Sequence, residues 1–325
     1  MTNNKIVEAK EFLEKHPGYV KWGCQKLANK FDINKEDVKR IKKLLEKITD
    51  FINEVDNVAS VEELPHTIQM PNILILDIET APIKASVWGL WNQNIYIDQI
   101  ISDWFMLTWS AKWLNSPNVM SNKLTSTEAL NEDDSRIVKN LWNLLNDADI
   151  VIAHNGEKFD IPKIKARCLI HNLPPTSFYQ QIDTLKVARK EFGFSSNKLD
   201  HLAKQLGVGC KIKTTFELWT KCVNGDENAL SEMSTYNDED VRVLERVYMK
   251  LRPYIKNHPN VTLFDDVVTA HRCPTCGGVH LVEEDYYYTT VGQFQVYRCT
   301  DCKALSRGRK ALKRGIITAN LSLGK

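Results

Sequence analysis

The stretch Ile73 to Thr80, ILILDIET, constrains this chain more than any other. Four consecutive apolar residues followed by Asp-Ile-Glu predict a buried strand. The two-residue period of a strand then sets Asp77 and Glu79 on the same side of the pleat. Two carboxylates held side by side repel unless a cation or a proton lies between them, so the pair is costly in a structural role and useful as a metal seat. Taken alone, the same residues also fit the simpler task of ending a strand at the surface. The rest of the chain decides between the two.

A length of 325 residues exceeds one average domain, and a hydrophobic content of 43% supports a sizeable core with smaller appendages. The expectation is one main domain and two small ones. The formal net charge of +2 excludes no class of partner, so the distribution of charge matters more than its sum. Both ends are basic. No run of about 18 apolar residues occurs, and Met1 to Lys15 carries charges throughout, so neither a membrane span nor a secretory leader is expected. The expected location is intracellular: cytoplasmic, or the host cytoplasm for a viral protein. Of eight cysteines, four form two Cys-x-x-Cys pairs, which inside a cell favours metal over disulfides. Cys24, Cys168, Cys210 and Cys222 are scattered and read as structural.

Residues 1–49 have helical periodicity, with Ile6, Ala9, Phe12 and Leu13, then Leu27, Ala28 and Phe31, then Val38, Ile41, Leu44 and Leu45 as apolar faces. Three helices are predicted, broken at His16-Pro17-Gly18 and at Asp32-Ile33-Asn34, with Asn34 as N-cap of the third. QKLANKFDINKEDVKRIKKLL resembles the helix-turn-helix of DNA-binding modules, which implies phosphate contacts from Lys35, Lys39, Arg40, Lys42, Lys43 and Lys47. The alternative is a solvated face of an interaction bundle. Residues 50–70 turn acidic, with Pro65 near their end and Pro71 just beyond it, and read as a linker.

Residues 71–257 form the predicted main domain, a mixed α/β sheet flanked by helices. After ILILDIET comes a Trp- and Asn-rich excursion read as a loop or flap, then strands over 104–114 and 119–124, a helix over 135–145, a strand over 149–153 and a helix over 159–171. HNGEKFD at the end of the fourth strand delivers a third acid, Asp160. Further on, YNDED carries Tyr236 and Asp240 four residues apart, hence on one helical face. Asp-x-Glu, Asn-x-x-x-Phe-Asp and Tyr-x-x-x-Asp, in this order, resemble the three motifs of the DEDD 3′-to-5′ exonucleases, tyrosine subgroup, with the ribonuclease H-like fold. QIDTLKVAR and SSNKLDHLAKQLG resemble the same superfamily.

The resemblance implies a two-metal site for Mg²⁺ or Mn²⁺, with Asp77, Glu79 and Asp240 as ligands of the first ion, Asp77 bridging to the second, and Asp160 acting through the second ion's waters. Tyr236 is implied as positioner of the attacking water, because a phenol is a poor base but a good orienting partner. Thr80 is an implied contact of the terminal nucleotide, and Asn155 an implied contact of the nucleotide near the scissile phosphate. Lys198, Lys211 and Lys213 are candidate backbone contacts, and Asp183 reads as a helix N-cap before Thr184. Trp88, Trp91, Trp104, Trp109 and Trp113 can stack on bases, although core packing suits most of them better.

In residues 258–325, Cys273, Cys276, Cys299 and Cys302 make two knuckles with 22 residues between them. Four thiolates hold one Zn²⁺ tetrahedrally and leave no open position, so the site is structural, and the segment resembles a zinc ribbon. A redox role is the alternative. From Lys303 onward the chain has many cations and no acid, a pattern that faces nucleic acid. The expected function is a metal-dependent 3′-to-5′ exonuclease on single-stranded or frayed ends. DNA is favoured over RNA because of the helix-turn-helix-like segment, and replication or repair proteins are possible partners. No polymerase portion follows Pro253, so the expectation is a self-standing enzyme. The competing readings are a catalytically silent nucleic-acid-binding protein on the same fold and a two-metal endonuclease.

Overall fold

The computed structural model describes residues 2–15, 23–56, 69–265 and 271–314. The chain divides into two compact units, Met1–Thr67 and Ile68–Lys325.

The first unit contains α1 (Thr2–Lys15), α2 (Cys24–Phe31) and α3 (Lys35–Asp56). Ala9, Leu13, Leu27, Ala28, Ile33, Val38 and Ile41 form its small core. Between α2 and α3 the backbone turns through Asp32 at φ 51°, and Asn34 Oδ1 accepts from Asp37 N at 2.8 Å, which caps α3. α3 runs past the expected boundary, so residues 50–56 are helix and not linker. The reason is visible in the sequence: no Gly or Pro occurs from Lys35 to Leu64, and Ile48, Phe51, Ile52 and Val55 keep the helical spacing while the charge changes sign. Residues 57–68 of the expected linker and the break at His16-Pro17-Gly18 lie outside the described residues.

The second unit is built on β1 (Ile73–Thr80), which stands at the centre of a five-stranded sheet. β4 (Met106–Trp113) pairs with it antiparallel and β5 (Met120–Lys123) pairs antiparallel with β4. On its other side β6 (Ile150–Ala153) and then β7 (Gln180–Asp183) run parallel. The order is β5-β4-β1-β6-β7, a ribonuclease H-like mixed sheet. The central position explains the apolar run, since both faces of β1 are covered. Leu74, Leu76 and Ile78 face a core shared with α5 (Ser135–Asn146), α6 (Asp160–Ile170) and α9 (Phe216–Val223). Ile73 and Ile75 face a second core with α7 (Thr184–Glu191), α8 (Leu199–Gln205) and the C-terminal half of α10 (Glu227–Leu251). A short α4 (Ser126–Leu130), with Thr125 and Glu128 forming a capping box, completes the helices.

The excursion after β1 is closed at its base by β2 (Lys84–Ala85) and β3 (Ile100–Ser102), and between them Trp88, Leu90 and Trp91 are exposed. Trp109 instead is buried, its indole N–H donating to Ile137 O. Asp183 caps α7 by accepting from Leu185 N and Lys186 N. Beyond α10 lie β8 (Leu281–Thr289), β9 (Gly292–Cys299), β10 (Leu305–Arg307) and β11 (Lys313–Arg314), with β9 central between β8 and the two short strands. The basic tail beyond Arg314 lies outside the described residues. Among the described residues no helix is long and apolar enough to cross a membrane.

Candidate active site

The alternation of β1 determines what converges. Asp77 and Glu79 share the face of Ile73 and Ile75, the face crossed by α10, and α10 presents Asp240 there. One carboxylate oxygen from each of Asp77, Glu79 and Asp240 lies within 4.8 Å of the others. A register shift between Glu79 and Thr80 ends the regular pairing with β4 at this point.

Asp160, at the first turn of α6, is buried, and its Oδ1 accepts from Ile78 N at 3.2 Å. It stands outside the cluster of three mutually close carboxylates yet close enough to raise Asp77 electrostatically. Tyr236 stands one helical turn before Asp240 and packs edge-on against Trp219 at 6.2 Å between ring centres. Thr80 lines a cleft of about 520 Å³ with Trp104, Lys163, Phe216 and Trp219, and Lys163 Nζ donates to its hydroxyl at 3.4 Å. Asn155 occupies the left-handed region at φ 72°, where its N–H donates to Asp183 at 3.0 Å and its carbonyl accepts from Phe159 N. Lys198 opens α8 and lines a separate cavity of about 540 Å³ with His154, Arg189, Asp200 and Lys211.

Three further residues belong to the site. Lys211 forms an ion pair with Asp240, turned inward instead of along an exposed backbone track. Asn237 Nδ2 donates to Asp77 Oδ2 at 2.6 Å. Trp219 lines the cleft beside Thr80 and packs against Tyr236. Asn237 was within reach of sequence reasoning, because it stands three residues before Asp240 on the same helical face. Lys211, expected from the sequence as a backbone contact, is set against Asp240 instead, and Trp219 carries no such signal.

Burial is the leading cause that lifts all four carboxyls, and their mutual repulsion adds to it at Asp77 and Glu79. Asp77 rises well above the ordinary range, Glu79 reaches about 8, Asp160 about 7, and Asp240 also rises although Lys211 pulls against the shift. Burial works against the Lys211 ammonium, but Asp240 and Asp77 outweigh it and hold the group above its usual value. Tyr236 is pushed up to about 12, first by burial and then by Asp240. Buried His154 is lowered to about 4, its ring nitrogens engaged by Thr184 Oγ1 and the Asn197 carbonyl.

A pH dependence follows. Ordinary carboxyls in an unfolded chain ionise near pH 4. In the folded metal-free site Glu79 and Asp160 keep protons up to about 8 and about 7. The folded state therefore binds more protons than the unfolded one across this window, and stability falls as pH rises through it. The melting temperature of the chain without added Mg²⁺ or Mn²⁺ should drop between about pH 5 and pH 8. Adding either ion should flatten the slope; a metal-free profile that is already flat in calorimetry would contradict the cluster's electrostatics.

The residues fit a cation. The donor set is hard carboxylate oxygen, and Asp240 Oδ1 is buried with no hydrogen-bond partner among the described residues. The cysteines form a second centre. Cys273 and Cys302 sulfurs are 3.6 Å apart, as are those of Cys276 and Cys299. A disulfide needs about 2.05 Å, whereas the edge of a tetrahedron with metal–sulfur bonds of about 2.3 Å is about 3.8 Å. The two knuckles share one backbone path: Gly277 at φ 76° and Lys303 at φ 67° each follow the first cysteine of their pair by four residues and donate back to its carbonyl. A Cβ on Gly278 would collide with the Asp301 carboxylate, so a larger residue there requires that side chain to move.

Residues 114–252 match the family model of the RNase H superfamily, a span that holds Asp160, Tyr236 and Asp240 and covers under half of the chain. No curated protein matches the chain. Among solved structures it is similar to the family B DNA polymerase from the hyperthermophilic archaeon Pyrobaculum calidifontis, at 15% identity and a TM-score of 0.45. That similarity covers 68% of this chain and 31% of the polymerase, so the chain spans about a third of the polymerase's length.

Proposed function

We propose that the chain is a metal-dependent nuclease that hydrolyses phosphodiester bonds from the 3′ end of nucleic acid and releases nucleoside monophosphates. DNA is the favoured substrate, at single-stranded or frayed ends. The convergence of Asp77, Glu79 and Asp240 within 4.8 Å carries this reading. The match to the RNase H superfamily supports a nuclease in the broader sense. Mg²⁺ or Mn²⁺ held by Asp77, Glu79 and Asp240, with Asp160 as an outer partner, would supply activation of water and neutralisation of charge at the leaving 3′ oxygen.

The side chains do the remaining work. Tyr236 stays protonated at neutral pH, since burial raises it to about 12, and it orients the attacking water through its hydroxyl. Trp104, Phe216 and Trp219 offer ring faces to the terminal base beside Thr80. Arg189 and Lys198 supply cations for the phosphates that follow. Asn155 shapes the turn that carries Asp160 into the site. The helices of the first unit add a DNA contact, and an intracellular setting keeps the cysteines reduced for Zn²⁺. Replication or repair proteins are the proposed partners.

The test is degradation of matched DNA and RNA oligonucleotides, labelled at either end, with Mg²⁺ or Mn²⁺. The native chain should shorten DNA stepwise from the 3′ end, leave a 3′-blocked oligonucleotide intact, and lose activity in Asp77→Ala. Cutting of the blocked oligonucleotide would identify an endonuclease, and binding without turnover by the native chain a silent binding protein. Tyr236→Phe should lower kcat about 10²-fold with little change in KM, as expected for a group that acts in the transition state.

A further inference from the structure

The distal part of the ribbon has a composition unlike the rest of the surface. From Tyr286 to Tyr297 neither arm of the β8–β9 hairpin carries a charge, but five residues there are aromatic: Tyr286, Tyr287, Tyr288, Phe294 and Tyr297. Tyr286, Tyr287 and Tyr288 are 47%, 50% and 67% exposed, too much for rings that pack a core. The acids of β8, Glu283, Glu284 and Asp285, are confined to the base of the hairpin, where Arg298 binds Glu284. From Lys303 to Arg314 the chain has six cations and no acid.

The register brings the two sets together. Tyr287 lies directly opposite Phe294, so both rings project from one face. Arg307 on β10 lies opposite Val296, two residues along β9 from Phe294 and therefore on that face as well. Its guanidinium stands 4.4 Å from the Phe294 ring centre and 5.2 Å from that of Tyr287. A planar cation laid against two rings makes a flat platform that is apolar and positive at once. Arg309 and Lys310, both exposed, continue the charge beyond it.

We infer that this face, Tyr287, Phe294 and Arg307 with Arg309 and Lys310 beside them, binds single-stranded nucleic acid away from the carboxylates. Unstacked bases lie on the rings and the guanidinium, and the phosphates pair with the neighbouring cations. A duplex hides its base faces in its own stack and is the poorer ligand. Charge complementarity decides against an apolar protein partner, because such a partner would leave these cations unmatched. The inference names where the nucleic acid of the proposed nuclease is held, and so rests on that reading.

The test separates the two. Binding is measured by fluorescence anisotropy of a labelled single-stranded 20-mer to the full chain in an Asp77→Asn background, where no cleavage intervenes. Catalysis is measured in the otherwise native chain on a p-nitrophenyl phosphodiester of thymidine, too short to reach the ribbon. Tyr287→Ala with Arg307→Ala should weaken 20-mer binding about tenfold or more. Tyr287→Phe should retain it. Arg309→Ala with Lys310→Ala should reduce the slope of log affinity against log salt by about 0.7 per cation. All these variants should keep native turnover of the small ester and native zinc content, which guards against a ribbon that has failed to fold. Unchanged 20-mer affinity in both double variants overturns the inference and leaves the nuclease standing, as does duplex binding equal to single-strand binding. A native chain inert toward the small ester and toward oligonucleotides defeats the nuclease reading, whatever the ribbon binds.

Discussion

Asp77→Asn should reduce phosphodiester hydrolysis by about 10⁴-fold, roughly 5 kcal/mol of transition-state stabilisation, and at the same time make the metal-free chain more stable. Both effects have one cause. Asp77 is buried among Asp160, Glu79 and Asp240, so its charge is costly until a cation arrives. Asparagine keeps the shape and an oxygen for the Asn237 amide, which donates to Asp77 at 2.6 Å, but it removes a charge from the proposed metal seat. Calorimetry without Mg²⁺ or Mn²⁺ should show a higher melting temperature for the variant, by roughly 2–4 °C for each kcal/mol of repulsion relieved. Mg²⁺ should then stabilise it less than it stabilises the native chain. A variant that is inactive because it is unfolded would melt lower, and a variant with native turnover would remove Asp77 from the chemistry.

The second large effect concerns the cysteines. Cys299→Ser should abolish zinc binding and with it the order of the ribbon, because little else holds that segment together. Among the described residues its buried hydrophobic set is Cys273, Cys299, Cys302 and Ala304, with Cys276 and Leu281 packed partly against them. Strand β8 is exposed along almost its whole length, so hydrophobic burial cannot supply the missing energy. Structural zinc sites contribute about 10–16 kcal/mol of binding free energy, which in a module this small is folding free energy. Hydrogen exchange should show loss of protection across residues 281–299 while the five-stranded sheet stays protected. Zinc analysis should fall from one ion per chain to none. A ribbon that keeps its protection without zinc would rule out the metal as its organiser.

Much of this was legible because it depends on local periodicity. The alternation within ILILDIET sets the shared face of Asp77 and Glu79, and the four-residue interval sets that of Tyr236 and Asp240; neither needs knowledge of the fold. The spacing of the four cysteines is similarly self-contained. Legibility fails where a contact joins distant elements through side-chain reach. Lys211 follows a helix in a stretch without regular structure, and only the packing of α8 against α10 turns its ammonium toward Asp240. Trp219 looks like an ordinary apolar residue of α9 until that helix is set beside Tyr236 and the Thr80 cleft. The C-terminal limit of α3 differs from the sequence expectation for the opposite reason: an unbroken helical period outweighs the acidic composition of residues 50–56.

The Lys211–Asp240 pair bears on the order of events when the chain is made. Buried carboxylates with no cation among them would either hold protons or push apart the strand and helix that carry them. Here the polypeptide brings its own cation to the most buried of the acids, so β1 and α10 can dock while the pocket is still metal-free. An ion entering this pocket would have to displace the Lys211 ammonium from Asp240.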